Sequence, residues 1–301
     1  MSNFLGSVHY LTDTFLNDIW NYNVNYKDML ITTGSQQSIN IIANAILNEG
    51  DTILIEQPTY FGAIKAFKNR KVNLIGLDLT ENGIDLNILE NKIIKYKPKL
   101  IYVTPTFNNP TGYSWSNSYR RKFLEIVNKY NILLLEDDPY SLINFTNIKY
   151  KSLYELNNGK NIIYLGTFSK YISPSINVGY ILSNITLLDE LYSFKESFDL
   201  GTSLFNQLVV LNYLQNNNIK SIVKNRLKIY KNLLDETIQN INTDCEKSIL
   251  YYSKSKGGLF IHLKFNNEVH TDIFENGSNY YIDGNHNNET RINICNLLNN
   301  D

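Results

Sequence analysis

The stretch KLIYVTPTFNNPTGYSWSNSYRRKFLEIVNKYNILLLEDDPY, residues 99–140, reads as strand, turn, helix and strand. KLIYVTP (99–105) and NILLLED (131–137) are short apolar runs without strict alternation, the pattern of strands covered on both faces. Between them YRRKFLEIVNKY (119–130) sets apolar residues at three- and four-residue steps, the period of an amphipathic helix. The same alternation continues outward in both directions. Further apolar runs are MLITT (29–33), TILIE (52–56), VNLIGL (72–77), NIIYLGT (161–167) and VGYIL (178–182), and SINIIANAILN (38–48) is another helical pattern. Strands alternating with helices from residue 28 to about 182 predict an α/β fold with a mostly parallel sheet. Such a sheet places its ligand outside the carboxyl ends of the strands.

From residue 186 the pattern turns helical: TLLDELYSFKESF (186–198), SLFNQLVVLNYLQ (203–215) and IKSIVKNRLKIYKNLLDETIQNI (219–241), with NNN at 216–218 as the break between the last two. Beyond it ILYYS (249–253), GLFIHLKF (258–265), NYYI (279–282) and RINIC (291–295) read as strands of a smaller α+β domain. The expected division is a large domain over 1–217 and a small one over 218–301.

Composition excludes several classes. With 43% hydrophobic and 19% charged residues, the 301-residue chain matches an ordinary globular protein, long enough for a large core. A net charge of -1 offers no broad field for nucleic acid or an acidic membrane. No apolar run is long enough to span a bilayer, and the first residues lack the features of a secretion signal. The two cysteines, Cys245 and Cys295, read as small buried side chains of a reducing compartment, so a cytoplasmic location is expected. His9, His262, His270 and His286 show no metal-ligand spacing; His286, in an Asn-rich loop, is expected to be solvated. No metal site is expected.

The residues that carry chemistry fall at strand ends. In TTGSQQSIN (32–40) a strand ends, Gly34 allows a tight turn, and Ser35 stands where an N-cap belongs; a helix N-terminus suits a phosphate. FNNPTG (107–112) sets Asn109 beyond a buried strand. LLLEDDPY (133–140) ends the most apolar strand on carboxylates, of which Asp137, with Tyr140, is placed to address a ligand, whereas Glu136 and Asp138 read as solvated loop acids. GTFSK (166–170) brings Lys170 just past another strand, between hydroxyl residues and a Pro-containing turn; a desolvated lysine can attack a carbonyl.

In this order TTGSQQ, EQPTYFGA (56–63), FNNPTG, EDDPY, GTFSK, NRLKIY (225–230), GGLF (257–260) and RINI (291–294) resemble the class I/II aminotransferases of fold type I, nearest to the kynurenine/α-aminoadipate branch, from about residue 6 to 295. The resemblance implies a three-layer αβα sandwich and pyridoxal 5′-phosphate (PLP) as cofactor. It implies that Lys170 binds the cofactor aldehyde as a Schiff base and later shuttles a proton. Asp137 would pair with the ring nitrogen, Asn109 and Tyr140 would bond the phenolic oxygen, and Tyr60 would stack on the ring. Ser35, Gln36, Thr167 and Ser169 would hold the phosphate; Arg291, with Asn109, would bind the substrate. The partners implied are an amino acid, a 2-oxo acid and a second copy of the chain.

Three departures accompany the resemblance. Asn177 stands where the family usually has an arginine against the phosphate, which predicts weaker cofactor binding. The phosphate turn comes early, at residue 34, and the segment between Gly258 and Arg291 is short. Other readings remain at this stage: a cofactor-binding regulatory domain, a relative with little turnover, or a PLP-dependent lyase.

Overall fold

The computed structural model describes residues 11–20, 24–244, 248–268 and 275–295. A π-helical stretch, Leu11–Leu16, runs into a helical turn, Asn17–Trp20, whose Leu11, Phe15 and Trp20 are buried. The strands that follow are β1 (Met29–Thr32), β2 (Thr52–Gln57), β3 (Asn73–Thr80), β4 (Gly83–Ile84), β5 (Leu100–Val103), β6 (Leu133–Asp137), β7 (Ile162–Thr167) and β8 (Gly179–Leu182). They form one sheet in the order β1-β8-β7-β6-β5-β2-β3-β4. β3, β2, β5, β6 and β7 pair in parallel, while β8 runs antiparallel between β7 and β1.

Each parallel step is joined through a helix, among them α1 (Ser35–Ile46), α2 (Phe61–Asn69), α3 (Leu86–Tyr96), α4 (Asn117–Lys129) and the short α5 (Leu153–Leu156). Side chains alternate across the sheet, and both faces are covered. Ile53, Ile55, Leu100, Tyr102, Leu135, Ile163 and Leu165 belong to one apolar core. Leu54, Ile101, Val103, Leu134, Ile162 and Tyr164 belong to the other. This double covering explains why the strands read as unbroken apolar runs. The three-layer α/β sandwich is therefore as expected.

After β8 come α6 (Ile185–Asp199), α7 (Leu204–Asn216) and the long α8 (Ile219–Asp244), the last two separated at 217–218 as NNN implies. A separate antiparallel sheet, in the order β11-β10-β9, contains β9 (Ile249–Tyr252), β10 (Phe260–Phe265) and β11 (Glu289–Asn293). It packs with α8 through Leu233, Leu234, Ile241, Ile261 and Leu263. NYYI (279–282) is not a strand. The Asn276 side chain accepts from Ser278 N–H and caps a 3-10 turn, Gly277–Tyr280, whose Tyr280 carbonyl then accepts from Thr59 N–H at 2.9 Å. A side-chain cap thus outcompetes the β-propensity of the tyrosines. Cys295 is half-buried, and Cys245, His9 and His270 lie outside the described residues. His286 is also half-buried rather than solvated: its ring stacks on Tyr281, with centroids 3.4 Å apart.

Candidate active site

β6 ends on Asp137, and the sheet encloses its carboxylate. Oδ2 accepts from the Tyr102 hydroxyl at 2.8 Å, on neighbouring β5, whereas Oδ1 is buried without a partner among the described residues. Burial pushes this carboxyl up to about 7; the Tyr102 bond lowers it, and the charge of Asp138 adds to the rise. An enclosed acid oxygen without a donor is a place for a cation or an N–H group.

Lys170 stands in the turn after β7. There Phe168 N–H donates to the Val178 carbonyl, and the N–H groups of Tyr171 and Ile172 donate back to the Phe168 carbonyl. The Lys170 Nζ lies 5.9 Å from the centroid of the Tyr140 ring. Burial lowers its pKa and the nearby charge of Arg291 lowers it further, while Cys295 acts the other way. An amine held this way has a larger neutral fraction, the form that serves as nucleophile and base.

These groups meet in one cavity, lined by Ser35, Tyr60, Asn109, Asp137, Tyr140 and Lys170 together with Thr104, Thr106, Phe107 and Pro139. Each lies at or beyond the carboxyl end of a strand of the parallel set or of β1. Tyr140, whose ring meets Phe260 edge-on at 5.6 Å, has its hydroxyl pKa raised by burial. Tyr60 immediately precedes α2, and burial followed by the charge of Asp137 raises its hydroxyl too.

The phosphate-like corner departs from the expectation in detail. Gly34, at φ 88°, occupies the cap position of α1, and Ser35 is the first helical residue, making no side-chain cap bond. β8 passes so close that a Cβ on Gly179 would lie 2.9 Å from the Gly34 Cα, which leaves glycine as the residue that fits. Ser35 faces the cavity, but three other expected phosphate residues do not line it. Gln36 donates through Nε2 to the Gly62 carbonyl at 3.2 Å. The Thr167 hydroxyl donates to the Val178 carbonyl at 3.3 Å and accepts from Ser169 N–H at 3.2 Å. Asn177, exposed at φ 45°, brings no charge.

Arg291, on β11, enters from the small sheet. Its Nη1 donates to Asn109 Oδ1 at 2.9 Å and its Nη2 to Glu275 Oε2 at 2.7 Å. The guanidinium carbon lies 4.1 Å from the Phe260 ring centroid and 5.4 Å from that of Tyr280.

Glu136 and Asp138 are buried, not solvated. Glu136 accepts from the N–H groups of Leu153 and Tyr154, each at 2.9 Å, and its Oε1 lies 3.8 Å from Nη1 of the fully buried Arg120. Asp138 accepts from the Tyr164 hydroxyl and from Ser141 N–H, both at 3.0 Å. Arg120 also donates through Nη2 to the Pro105 carbonyl at 2.7 Å, bracing the turn that leads to Asn109. A signal for this was readable: Arg120 shares the apolar stripe of α4 with Phe123, Leu124 and Val127, and a cation there requires buried acceptors. Two other supports had no local signal, because they come from neighbouring strands. Tyr102 holds Asp137, and Glu56, which burial raises to about 7, accepts from Thr104 N–H at 2.6 Å and from the Thr104 hydroxyl at 2.8 Å.

Comparison with known proteins gives the chain's family. The family model described as aminotransferase class I and II matches residues 9–297. The aromatic-amino-acid aminotransferase 1 of Thermococcus litoralis is 29% identical over 239 residues, 78% of this chain and 57% of that protein. The 2-aminoadipate transaminase of Thermus thermophilus is 31% identical over 238 residues, 78% of this chain and 59% of that protein. The chain thus spans less than two thirds of the length of either relative. Among solved structures, the α-aminoadipate aminotransferase LysN of Thermus thermophilus, complexed with N-(5′-phosphopyridoxyl)-L-leucine, superposes with a TM-score of 0.88 at 27% identity, over 96% of this chain and 76% of that one.

The residues present fit the family's cofactor, PLP. The unpartnered Oδ1 of Asp137 suits a pyridinium N–H, the amine of Lys170 suits an aldehyde, and the start of α1 reaches the same cavity through Ser35.

Proposed function

The chain belongs to the class I and II aminotransferase family, and from that premise we propose that it is a PLP-dependent aminotransferase. It would move an amino group between an α-amino acid and a 2-oxo acid in two half-reactions. The observation that carries this reading is the pairing, in one cavity, of a buried acid oxygen without a partner and a lysine biased toward its neutral form.

When bound, PLP supplies an aldehyde that condenses with amines and a pyridinium ring that accepts the electrons left by α-proton loss. The chain's own residues supply the rest. Asp137, ionised against a protonated ring nitrogen, keeps that proton in place; pairing there offsets the burial that otherwise holds the carboxyl protonated. Lys170 holds the cofactor before substrate arrives. Once displaced, its neutral amine would take the proton from the substrate α-carbon and deliver it across the intervening nitrogen to the carbon that was the cofactor aldehyde, a task needing a base with a pKa near the working pH. Asn109 and Tyr140 orient the phenolic side of the ring, and Tyr60 covers a face. Ser35 and the N–H groups of the first turn of α1 receive the phosphate, with Gln36, Thr167 and Ser169 as further candidates that must turn toward it. Arg291 takes the substrate carboxylate. Buried apolar walls such as Phe107 exclude water. A second copy of the chain is the partner we propose, and the cytoplasm the location.

The test is spectroscopic. PLP added to the protein should give a visible band that borohydride fixes onto Lys170, and an amino acid should bleach it with release of the matching 2-oxo acid. A panel of amino donors would identify the substrate. No band overturns the proposal; a band that amino acids leave unchanged favours a regulatory domain, and release of ammonia with pyruvate favours elimination.

A further inference from the structure

The Arg291 guanidinium already holds an anion. Its Nη2 donates to Glu275 Oε2 at 2.7 Å and its Nη1 to Asn109 Oδ1 at 2.9 Å, so both prongs of the fork are engaged within the protein. The cation is little exposed, at 15% of its side chain, and packs against the rings of Phe260 and Tyr280. Left unpaired in such a place it would be strongly destabilising, so the site needs a counter-charge when no substrate is present. Glu275 supplies it, and at 34% side-chain exposure it has a route to solvent when displaced. Its backbone is held separately, the Glu275 carbonyl accepting from the Thr290 hydroxyl at 2.6 Å, so the carboxylate can leave while the segment stays in place.

We propose that Glu275 is a specificity-determining residue: a resident carboxylate that holds one prong of the Arg291 fork and must be displaced by the carboxylate of the incoming amino or 2-oxo acid. The inference rests on the assignment of Arg291 as the substrate clamp. Exchange of one carboxylate for another leaves the charge of the site nearly constant. The arginine therefore contributes little net affinity but a large discrimination, because a neutral ligand cannot replace Glu275 without stranding the cation. The expected result is weak binding of carboxylates as a class and rejection of their amides.

The experiment reads binding, not turnover. The dissociation constant of 3-phenylpropionate, a carboxylate without an amino group, is measured by calorimetry on the PLP-loaded protein and its Glu275→Gln and Glu275→Ala variants, with 3-phenylpropanamide as the neutral counterpart. Both variants should bind the carboxylate roughly tenfold more tightly, the size of one charge-assisted contact no longer in competition. The amide should gain much less. In an Arg291→Gln background the Glu275 substitutions should bring no gain. Equal or weaker carboxylate binding by both variants overturns the proposal, as does a gain that persists without Arg291. Because the probe does not react, a protein that binds it as expected yet fails to transaminate would sink the activity and leave this inference standing.

Discussion

Lys170 and Asp137 divide the proposed chemistry between an amine and an acid held by different strands, and their substitutions should separate accordingly. Lys170→Ala removes both covalent attachment and the proton carrier. Turnover should fall by roughly four orders of magnitude, and borohydride should no longer fix the cofactor to the chain; visible label retained on the variant would contradict the assignment. Asp137→Asn keeps the shape and the bond from Tyr102 but not the charge that holds a ring proton. A loss of roughly a hundredfold or more in kcat is expected, with the cofactor still bound. Asn177 sets up a contest of small terms. An arginine there could give the phosphate a charge-assisted contact of about 1.5–3 kcal/mol. It would also sit at φ 45°, a region asparagine tolerates better, at about 1 kcal/mol of strain. Asn177→Arg should thus tighten PLP several-fold by absorbance titration, and a weaker complex would show that the side chain cannot reach the phosphate.

Elements hold these residues by contacts that a local reading sees unevenly. The β7–β8 hairpin is tight because Gly166 faces Tyr180, and a Cβ there would stand 2.1 Å from the ring. Tyr180 is buried against Tyr164 and Phe168 and cannot withdraw freely. Gly166→Ala should destabilise by about 1–3 kcal/mol in denaturant unfolding, and a neutral result would mean the hairpin can open. Arg120→Met should be worse, about 3–5 kcal/mol, since it removes a buried cation from beside Glu136. The strands were legible because burial on both faces writes itself as apolar runs, and the site because its residues follow those runs directly. What was hidden depends on partners distant in the chain. Glu136 looks like a loop acid until α5 and Arg120 are brought to it, and Tyr102 looks like any strand tyrosine until β6 lies alongside. Ser35 was misplaced by one position because Gly34 can adopt the cap conformation itself, and NYYI because a single asparagine cap redirects it.

At the scale of the whole molecule the buried acids govern the response to pH. Burial pushes Glu56, Glu136 and Asp137 up to about 7 and Asp138 up to about 6, from ordinary values of 4.5 and 3.8. Between about pH 4 and 7 the folded chain therefore keeps protons that the unfolded chain has released, and stability falls as pH rises through that window. Glu289 behaves oppositely. Burial alone would raise it, but bonds from His262, Tyr281 and Lys264 hold it down to about 2, so its contribution is lost only in strong acid. Cofactor-free protein should melt several degrees higher at pH 5 than at pH 8 by calorimetry; the reverse order would mean the acids ionise as they bury. The same scale carries the proposed pairing of two chains. Phe198, Leu200 and Phe205, around the α6–α7 turn, are 69%, 89% and 73% exposed. Such a patch favours self-association, so sedimentation should show a dimer that Phe205→Glu weakens.

The position of β8 has a consequence for synthesis. Met29 of β1 pairs with Leu182 of β8, and β1 reaches the rest of the sheet through β8. Ser35 and Lys170 line one cavity, and β8, the last strand of that sheet along the chain, lies between the strands that lead to them. A nascent chain that stops before β8 would carry the lysine and the acid yet leave β1 without its partner strand. Full capture of the vitamin would then wait for β8, and chains cut short of it should hold the phosphate less firmly.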